Sequence, residues 1–192
     1  MQMRSRNIAL AVSSLIAVLP ALAVHAAEDD LRAECQQAVS DLLRTDAGLQ
    51  KFMNDSAGYA VFPNVGKGGL IVGGAHGKGC VYAKTNYIGQ ATMTQASIGA
   101  QVGGQTFAEV IFFETPAALE DFKSGKFEMS ADVSAVAVKE GASAAANYKQ
   151  GVAVFTLPKK GLMAQAAVGG QKFKFEPATM EPTGRPTPKL NQ

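Results

Sequence analysis

The sequence predicts a single α+β domain in which helices pack on a strongly bent antiparallel β-sheet or barrel. The early part of the chain repeats apolar residues at helical spacing, whereas the middle is a series of short β-branched and apolar runs. Eleven of the 20 glycines lie between Gly66 and Gly104, and glycine allows tight turns and close approach of neighbouring backbones. We therefore expect a strand-rich body with a glycine-rich surface suited to binding.

The first 26 residues have the layout of a secretory signal peptide. Arg4 and Arg6 precede an apolar run over residues 8–23, and small residues follow that run. The predicted cleavage site lies between Ala26 and Ala27. Cleavage would remove a leader that supplies all of the formal excess of positive charge, which is +2 for the whole chain.

Cleavage after Ala26 has two alternatives. Cleavage could follow Ala23 instead, or the segment could remain as a membrane anchor, since its apolar run is near the minimum length for crossing a bilayer. With cleavage, a periplasmic or secreted domain is predicted over residues 27–176. Residues 177–192 contain four prolines and few apolar side chains, which predicts a disordered tail.

Residues 29–54 are predicted to form helices. Apolar residues recur every three or four positions from Leu31 to Leu43, and a second short stripe follows Thr45 and Asp46. These helices are expected to pack on the core. The alternative is an amphipathic helix that touches a membrane, but its acid-rich polar face argues against direct contact with anionic lipid.

Five strands are predicted between glycine turns. They cover residues 59–62, 70–72, 80–84, 91–98 and 106–113. A short helix is expected after Thr115, a suitable N-cap, with Pro116 in its first turn and Gly125 at its end. Residues 129–139 alternate in a way that predicts another strand, although their alanines would also suit a helix; residues 141–150 are ambiguous.

The chain has two cysteines, Cys35 and Cys80. Export would place them in a compartment where disulfides persist. A bond between them would contribute roughly 3 to 4 kcal/mol by restricting the unfolded chain. Two free, buried cysteines remain the alternative, because sequence alone does not show proximity.

Charge is segregated along the chain. Residues 67–107 contain three lysines and no acid, and residues 151–192 contain six basic residues and two acids. The segments 27–66 and 108–150 are acidic. If the two basic segments meet in the fold, they would form one positively charged surface.

Two short sequences recur in these basic segments. Ala-Val-Phe at 60–62 returns at 153–155, and each copy is followed by a lysine-glycine step. Residues 102–107 match residues 168–173 at five of six positions. Because no fixed period is sustained, similar hairpins within one sheet are predicted rather than independent repeats.

Several ordered motifs resemble the SYLF lipid-binding domain in its bacterial secreted form. The most extensive runs Ala-Gly-Tyr-Ala-Val-Phe-Pro-Asn-Val-Gly-Lys-Gly-Gly over residues 57–69; others are Ser-Ile-Gly-Ala-Gln-Val-Gly-Gly over 97–104 and Lys-Gly-Leu-Met-Ala over 160–164. The resemblance spans roughly residues 31–175. The chain departs from it at Gln165, where relatives tend to have glycine.

This resemblance implies binding of anionic phospholipids at a membrane, and in some eukaryotic relatives of phosphoinositides and actin. Because bacteria generally lack phosphoinositides, only the recognition of anionic lipid is carried over. Lysines near an anionic surface provide such binding in physical terms as well, and the backbone N–H groups of glycine-flanked lysines could meet a phosphate. The candidate lipid-binding residues are Lys67, Lys78, Lys84, Lys159, Lys160, Lys172 and Lys174.

Other functions are less consistent with the residues present. After removal of the leader, His76 is the remaining histidine, so a nucleophile with a histidine base would have to use it; we interpret it as a residue at a turn. Glu109 lies on a predicted strand without a partner carboxylate, so a position at the rim of the sheet is expected. Neither an enzyme, a cofactor or metal site nor nucleic-acid binding is predicted. The alternative function is an envelope protein-interaction or assembly module that pairs strand edges with an unknown partner.

Overall fold

The computed structural model describes residues 19–68, 72–98, 105–129, 133–160 and 170–178. The predicted leader therefore lies largely outside the described residues, as does most of the predicted tail. Pro177 and Ala178, which the sequence assigned to that tail, belong to the folded part: Pro177 ends the last strand, and the Ala178 N–H donates to the Ile88 carbonyl at 3.0 Å.

Three α-helices and seven strands are described, together with one short 3-10 helix over Ala142–Ala145. The elements follow in the order α1 (Leu19–Thr45), α2 (Leu49–Asp55), β1 (Gly58–Gly68), β2 (Val72–Ala83), β3 (Asn86–Ile98), β4 (Gln105–Phe113), α3 (Pro116–Lys123), β5 (Val136–Ala137), β6 (Val152–Lys160) and β7 (Gln171–Pro177). This confirms the predicted α+β class.

The strands form one sheet in the order β5-β6-β4-β1-β2-β3-β7. Neighbours are antiparallel except β5 and β6, which pair in parallel over two residues. The sheet is thus mixed, and among the described strands it does not close into the barrel that was one of the two predicted forms. It is nevertheless strongly bent, because Gln171 and Phe173 of β7 contact Glu109 of β4 and Phe62 of β1 across the inside of the curve.

Each face of the sheet buries its own apolar cluster. On the first, called the α1 face, α1 and α2 cover residues such as Tyr59, Phe112 and Phe155. On the second, the α3 face, Phe122 of α3 packs in a cluster that includes Phe62, Phe107, Ile111 and Phe173. Alternation of side chains along each strand explains how neighbouring residues enter different clusters.

The helices begin and end where local chemistry dictates. The predicted break after Thr45 separates α1 from α2. Thr115 caps α3 by accepting a hydrogen bond from the Ala118 N–H at 3.2 Å, with Pro116 as its first residue.

In the part of the chain that the structure describes, no helix combines the length and apolar composition needed to cross a bilayer.

The predicted strand over residues 129–139 is wrong for most of its length. Only Val136 and Ala137 pair with β6, and residues 130–132 lie outside the described residues. Burial of alternate side chains holds for Val133 and Ala135 but is lost after them. Alanine has little side chain to pack on a pleated surface, so the alternating pattern overstated the tendency to form a strand.

Candidate functional site

Strand register places one row of residues across six strands, near the end of the sheet at which β1, β3 and β6 end. Each pair in the row is directly opposed in an antiparallel ladder, so the described side chains share one face. His76, Thr94 and Lys172 are exposed there. The complete row is Lys160, Thr106, Gly66, His76, Thr94 and Lys172.

The second row along β2 contains two further predicted lysines. Lys78 of β2 opposes Thr92 of β3, which opposes Lys174 of β7. Lys78 and the buried Cys80 are two residues apart on β2, so both side chains lie on the α1 face. Lys78 lies in a part of that face that is exposed. We call the following residues of the two rows the lysine surface: the exposed His76, Lys78, Thr94, Lys172 and Lys174 and the half-buried Thr92.

Two carboxylates lie beside the lysine surface. Lys172 Nζ is 3.1 Å from Glu128 Oε1, and Lys174 Nζ is 2.7 Å from Glu176 Oε1. The hydrogen bond between Lys174 and Glu176 raises the pKa of the lysine and lowers the pKa of the glutamate. All four side chains are more than half exposed, so these ion pairs are weak and could exchange for contacts with a larger anion.

Lys84 does not join this surface, which corrects the expectation that the seven lysines form one group. It lies in the turn between β2 and β3, at the opposite end of these strands from the lysine surface. Its ammonium group donates to the carbonyl oxygens of Ser56, at 2.6 Å, and Asn54, at 3.4 Å. Lys84 therefore holds the end of α2, because helix C-termini leave carbonyl groups that a cation can satisfy.

Lys159 lies in another part of the α1 face. Its Nζ donates to Asn64 Oδ1 at 3.0 Å, and Asn64 Nδ2 donates to Glu34 Oε2 at 2.8 Å. This chain of contacts connects β6, β1 and α1. Lys159 belongs to β6, and β4, β1, β2 and β3 separate β6 from β7 in the sheet order. Lys159 is therefore not adjacent to Lys172 or Lys174.

The structure describes the backbones of Lys67 and Lys160 but not their side chains. Lys67 opposes Gln105, and Lys160 opposes Thr106, so they flank the first two residues of β4. The repeated Ala-Val-Phe sequences occupy β1 and β6, which both pair with β4. The similar segments therefore lie in one sheet, as predicted, with β4 between them.

Cys35 of α1 and Cys80 of β2 form a disulfide, with their Cα atoms 6.3 Å apart. Both residues are fully buried in the cluster on the α1 face. The bond attaches α1 to the sheet two residues from Lys78 on β2. The strand that carries Lys78 is thus tied to the helical layer.

A buried polar group inside the curve of the sheet was not predicted. Glu109, expected at the rim, is fully buried, and Gln171 Nε2 donates to its Oε2 at 3.0 Å. Thr156 opposes Glu109 on β6 and is also fully buried, as is Gln171. The prediction failed because the bend that brings β7 over β4 is not visible in the sequence of either strand. The recurring Gly-Gly-Gln at 103–105 and 169–171 was the available signal.

Comparison with known proteins gives two matches. Residues 94–179 match the family described as "Ysc84: Las17-binding protein actin regulator". The chain is also 34% identical over 125 residues to "Beta cell expansion factor A" of Aeromonas veronii. That alignment covers 64% of this chain and 48% of the relative, so the chain spans about half of the relative's length. The chain therefore contains a segment similar to the Ysc84/SYLF type of domain, and this segment includes Lys159, Lys172 and Lys174.

Proposed function

We propose that this protein is an exported member of the SYLF family that binds anionic phospholipid membranes without catalysing a reaction. The observation that carries this proposal is the placement of Lys78, Lys172 and Lys174 on two adjacent rows of one sheet face, all exposed. The neighbouring strands β2, β3 and β7 present these ammonium groups together. Phosphate groups of a membrane could meet them without entering a cavity.

The expected strength of the interaction is appreciable but depends on salt. Each lysine near an anionic membrane contributes about 1 kcal/mol, so three lysines would tighten binding roughly 100-fold. Screening operates over about 10 Å at moderate ionic strength, so added salt should release the protein. The exposed pairs with Glu128 and Glu176 oppose binding only slightly, since surface ion pairs contribute little.

Export is proposed from the leader and is supported by two features of α1. The disulfide between Cys35 and Cys80 suits an oxidising compartment. Glu28 Oε1 accepts a hydrogen bond from the Tyr87 hydroxyl at 2.8 Å, and the Arg32 guanidinium lies 4.4 Å from the centre of the Tyr87 ring. A mature chain beginning at Ala27 would retain both of these contacts.

A protein-interaction module remains the second candidate. The matched family's description names a Las17-binding protein and actin regulator. For this chain the second candidate is that the same face of the sheet, or its edge at β7, contacts a protein. Binding to such a partner would not require anionic lipid.

Sedimentation with vesicles separates the two candidates. The mature protein should sediment increasingly as the phosphatidylglycerol fraction of phosphatidylcholine vesicles rises, and salt should reverse this. A variant carrying Lys78→Glu, Lys172→Glu and Lys174→Glu should remain in the supernatant. The matched control carries Lys51→Glu, Lys123→Glu and Lys126→Glu, which change the net charge equally but lie outside the lysine surface.

Failure of the unmodified protein to bind anionic vesicles would reject lipid binding. Equal losses in the two triple variants would show that net charge alone matters and would reject the lysine surface as the site. A separate variant with Lys67→Glu and Lys160→Glu tests whether the site extends to the ends of β1 and β6. Circular dichroism on each variant establishes that the fold is retained.

A further inference from the structure

An apolar groove of about 550 Å³ runs beside the first half of β6, away from the lysine surface. One wall is the segment 133–137, and the other is the 3-10 helix with the residues that follow it. Small and apolar side chains dominate the lining. Those with exposed surface are Val136, Ala137, Ala142, Ala145 and Ala146, whereas Val133, Ala135, Val152 and Val154 belong to the buried cluster on the α3 face.

The groove lies beside a segment, residues 133–137, of which only two residues pair with β6. The segment 133–137 pairs with β6 only through Val136 and Ala137, so the preceding residues do not continue the ladder with it. On the opposite side, the 3-10 helix is attached to the turn between α1 and α2, because the Ser143 N–H donates a hydrogen bond to Asp46. The 3-10 helix is thus anchored by a contact outside the groove, and it also approaches β5 in the opposite wall.

The chemistry of the lining selects a class of ligand. A volume of this size lies within the range of small-molecule sites. Apart from the fully buried Phe155, the apolar lining consists of alanine and valine, and Lys139 and Lys149 also line the groove and are exposed. A long alkyl chain that ends in an anionic group complements both features: the chain replaces water in the groove, and the anion lies at the two ammonium groups.

We propose that this groove binds a long-chain fatty acid, with the carboxylate at Lys139 and Lys149 and the alkyl chain along β6. The site is separate from the lysine surface, so the proposal does not depend on membrane binding. Each methylene that enters the groove should increase affinity about fourfold, the equivalent of about 0.8 kcal/mol. The increase should stop when the alkyl chain exceeds the length of the groove.

Calorimetric titration with saturated fatty acids from octanoate to palmitate, below their micelle concentrations, tests this directly. Affinity that rises with chain length and then levels off is the expected result. The corresponding fatty alcohols should bind at least tenfold more weakly, because they lack the charge that the lysines recognise. An affinity independent of chain length, or equal for acid and alcohol, would overturn the proposal.

Variants then locate the ligand. Ala145→Phe fills the groove and should reduce affinity at least tenfold, whereas Ala144→Phe, in the same 3-10 helix but not in the lining, should leave it unchanged. Both alanines are exposed, so the fold should tolerate either change. Equal effects of the two substitutions would remove the groove as the site.

Charge variants distinguish this site from the lysine surface. Lys139→Gln with Lys149→Gln should weaken fatty-acid binding and leave sedimentation with vesicles largely intact. Lys172→Gln with Lys174→Gln should do the reverse. If the second pair, and not the first, abolishes fatty-acid binding, the acid is bound at the lysine surface and the groove proposal is wrong.

Discussion

The Ser143 N–H donates a hydrogen bond to Asp46 Oδ2 at 2.7 Å, although the two residues are 97 positions apart in the sequence. The other carboxylate oxygen accepts from the Gly48 N–H at 3.0 Å. Asp46 is buried, with 4% of its surface exposed. This one side chain therefore shapes the turn between α1 and α2 and attaches it to the 3-10 helix beside the groove.

Substitution of Asp46 by asparagine should lower the free energy of unfolding by about 1.5 to 3 kcal/mol at neutral pH, because charge-assisted hydrogen bonds are lost. Burial disfavours the charged form of Asp46, but hydrogen bonds from Ser143, Gly48 and Gly141 outweigh it and hold the pKa below its ordinary value. With a lowered pKa in the folded state, the carboxylate stabilises the protein above the unfolded pKa of about 3.9. That contribution is lost as pH falls through the lower folded pKa.

Urea unfolding of both proteins across this pH range measures the effect. The difference between Asp46→Asn and the unmodified protein should be constant near neutrality and shrink only below about pH 4. Asp30→Asn, an exposed position on α1, serves as the control and should have little effect. A difference that grows on acidification would contradict the assignment.

Reduction of the disulfide between Cys35 and Cys80 should lower the free energy of unfolding by about 4 kcal/mol, given the sequence separation of 45 residues. Denaturant unfolding with and without reductant measures this. The double variant Cys35→Ala, Cys80→Ala should be as unstable as the reduced protein and insensitive to reductant. Sensitivity to reductant in that variant would mean that another effect of the reagent is being measured.

Much of the fold could be predicted because local chemistry determines it. The spacing of apolar residues predicted α1 and α2, and Thr115 with Pro116 predicted the start of α3. The strands β1, β3 and β4 follow from β-branched runs. Separate strands were expected over residues 70–72 and 80–84 with His76 at a turn, but among the described residues one strand, β2, runs from Val72 to Ala83 through His76 and four glycines. The segment over residues 129–139 was mispredicted because its alternating pattern favoured a strand while its alanines pack little on a sheet, so tertiary contacts decided its conformation.

The candidate site could be predicted only in part. Lys78, Lys172 and Lys174 become neighbours through the order and register of β2, β3 and β7, which follow from long-range pairing. Sequence could place these lysines in basic segments but not on one face. The capping role of Lys84 depends equally on a contact between elements 28 residues apart.

Gly79 and Gly66 belong to the same glycine-rich segment, yet their surroundings predict opposite responses to alanine. A Cβ at Gly79 would lie 2.6 Å from Phe62 Cδ1 and closer still to the Val61 carbonyl oxygen, whereas a Cβ at Gly66 would have no neighbour within 4 Å. Gly79→Ala should therefore destabilise the protein by about 1 to 3 kcal/mol through overpacking. Gly66→Ala should be neutral or stabilise it by up to about 1 kcal/mol.

Thermal unfolding of the two alanine variants measures this contrast. A large loss at Gly66 would mean that the glycine-rich segment as a whole requires glycine. A neutral change at Gly79 would mean that β1 and β2 can separate locally to admit a methyl group. Vesicle sedimentation of Gly66→Ala further tests whether the missing side chain at this point of the six-strand row is needed for contact with lipid.

Gln171 of the edge strand β7 contacts Glu109 of β4, from which β7 is separated in the sheet order by β1, β2 and β3. Because both side chains are fully buried, replacing Gln171 with methionine removes a donor from a buried carboxylate and should lower the free energy of unfolding by about 1 to 3 kcal/mol. In the double variant with Glu109→Gln the acceptor is an amide instead of a carboxyl group, so the added cost of Gln171→Met should be smaller than in the unmodified protein. Urea unfolding of the four proteins in this cycle gives the coupling energy. Strictly additive losses would mean that the 3.0 Å contact does not stabilise the bend that brings β7 over β4.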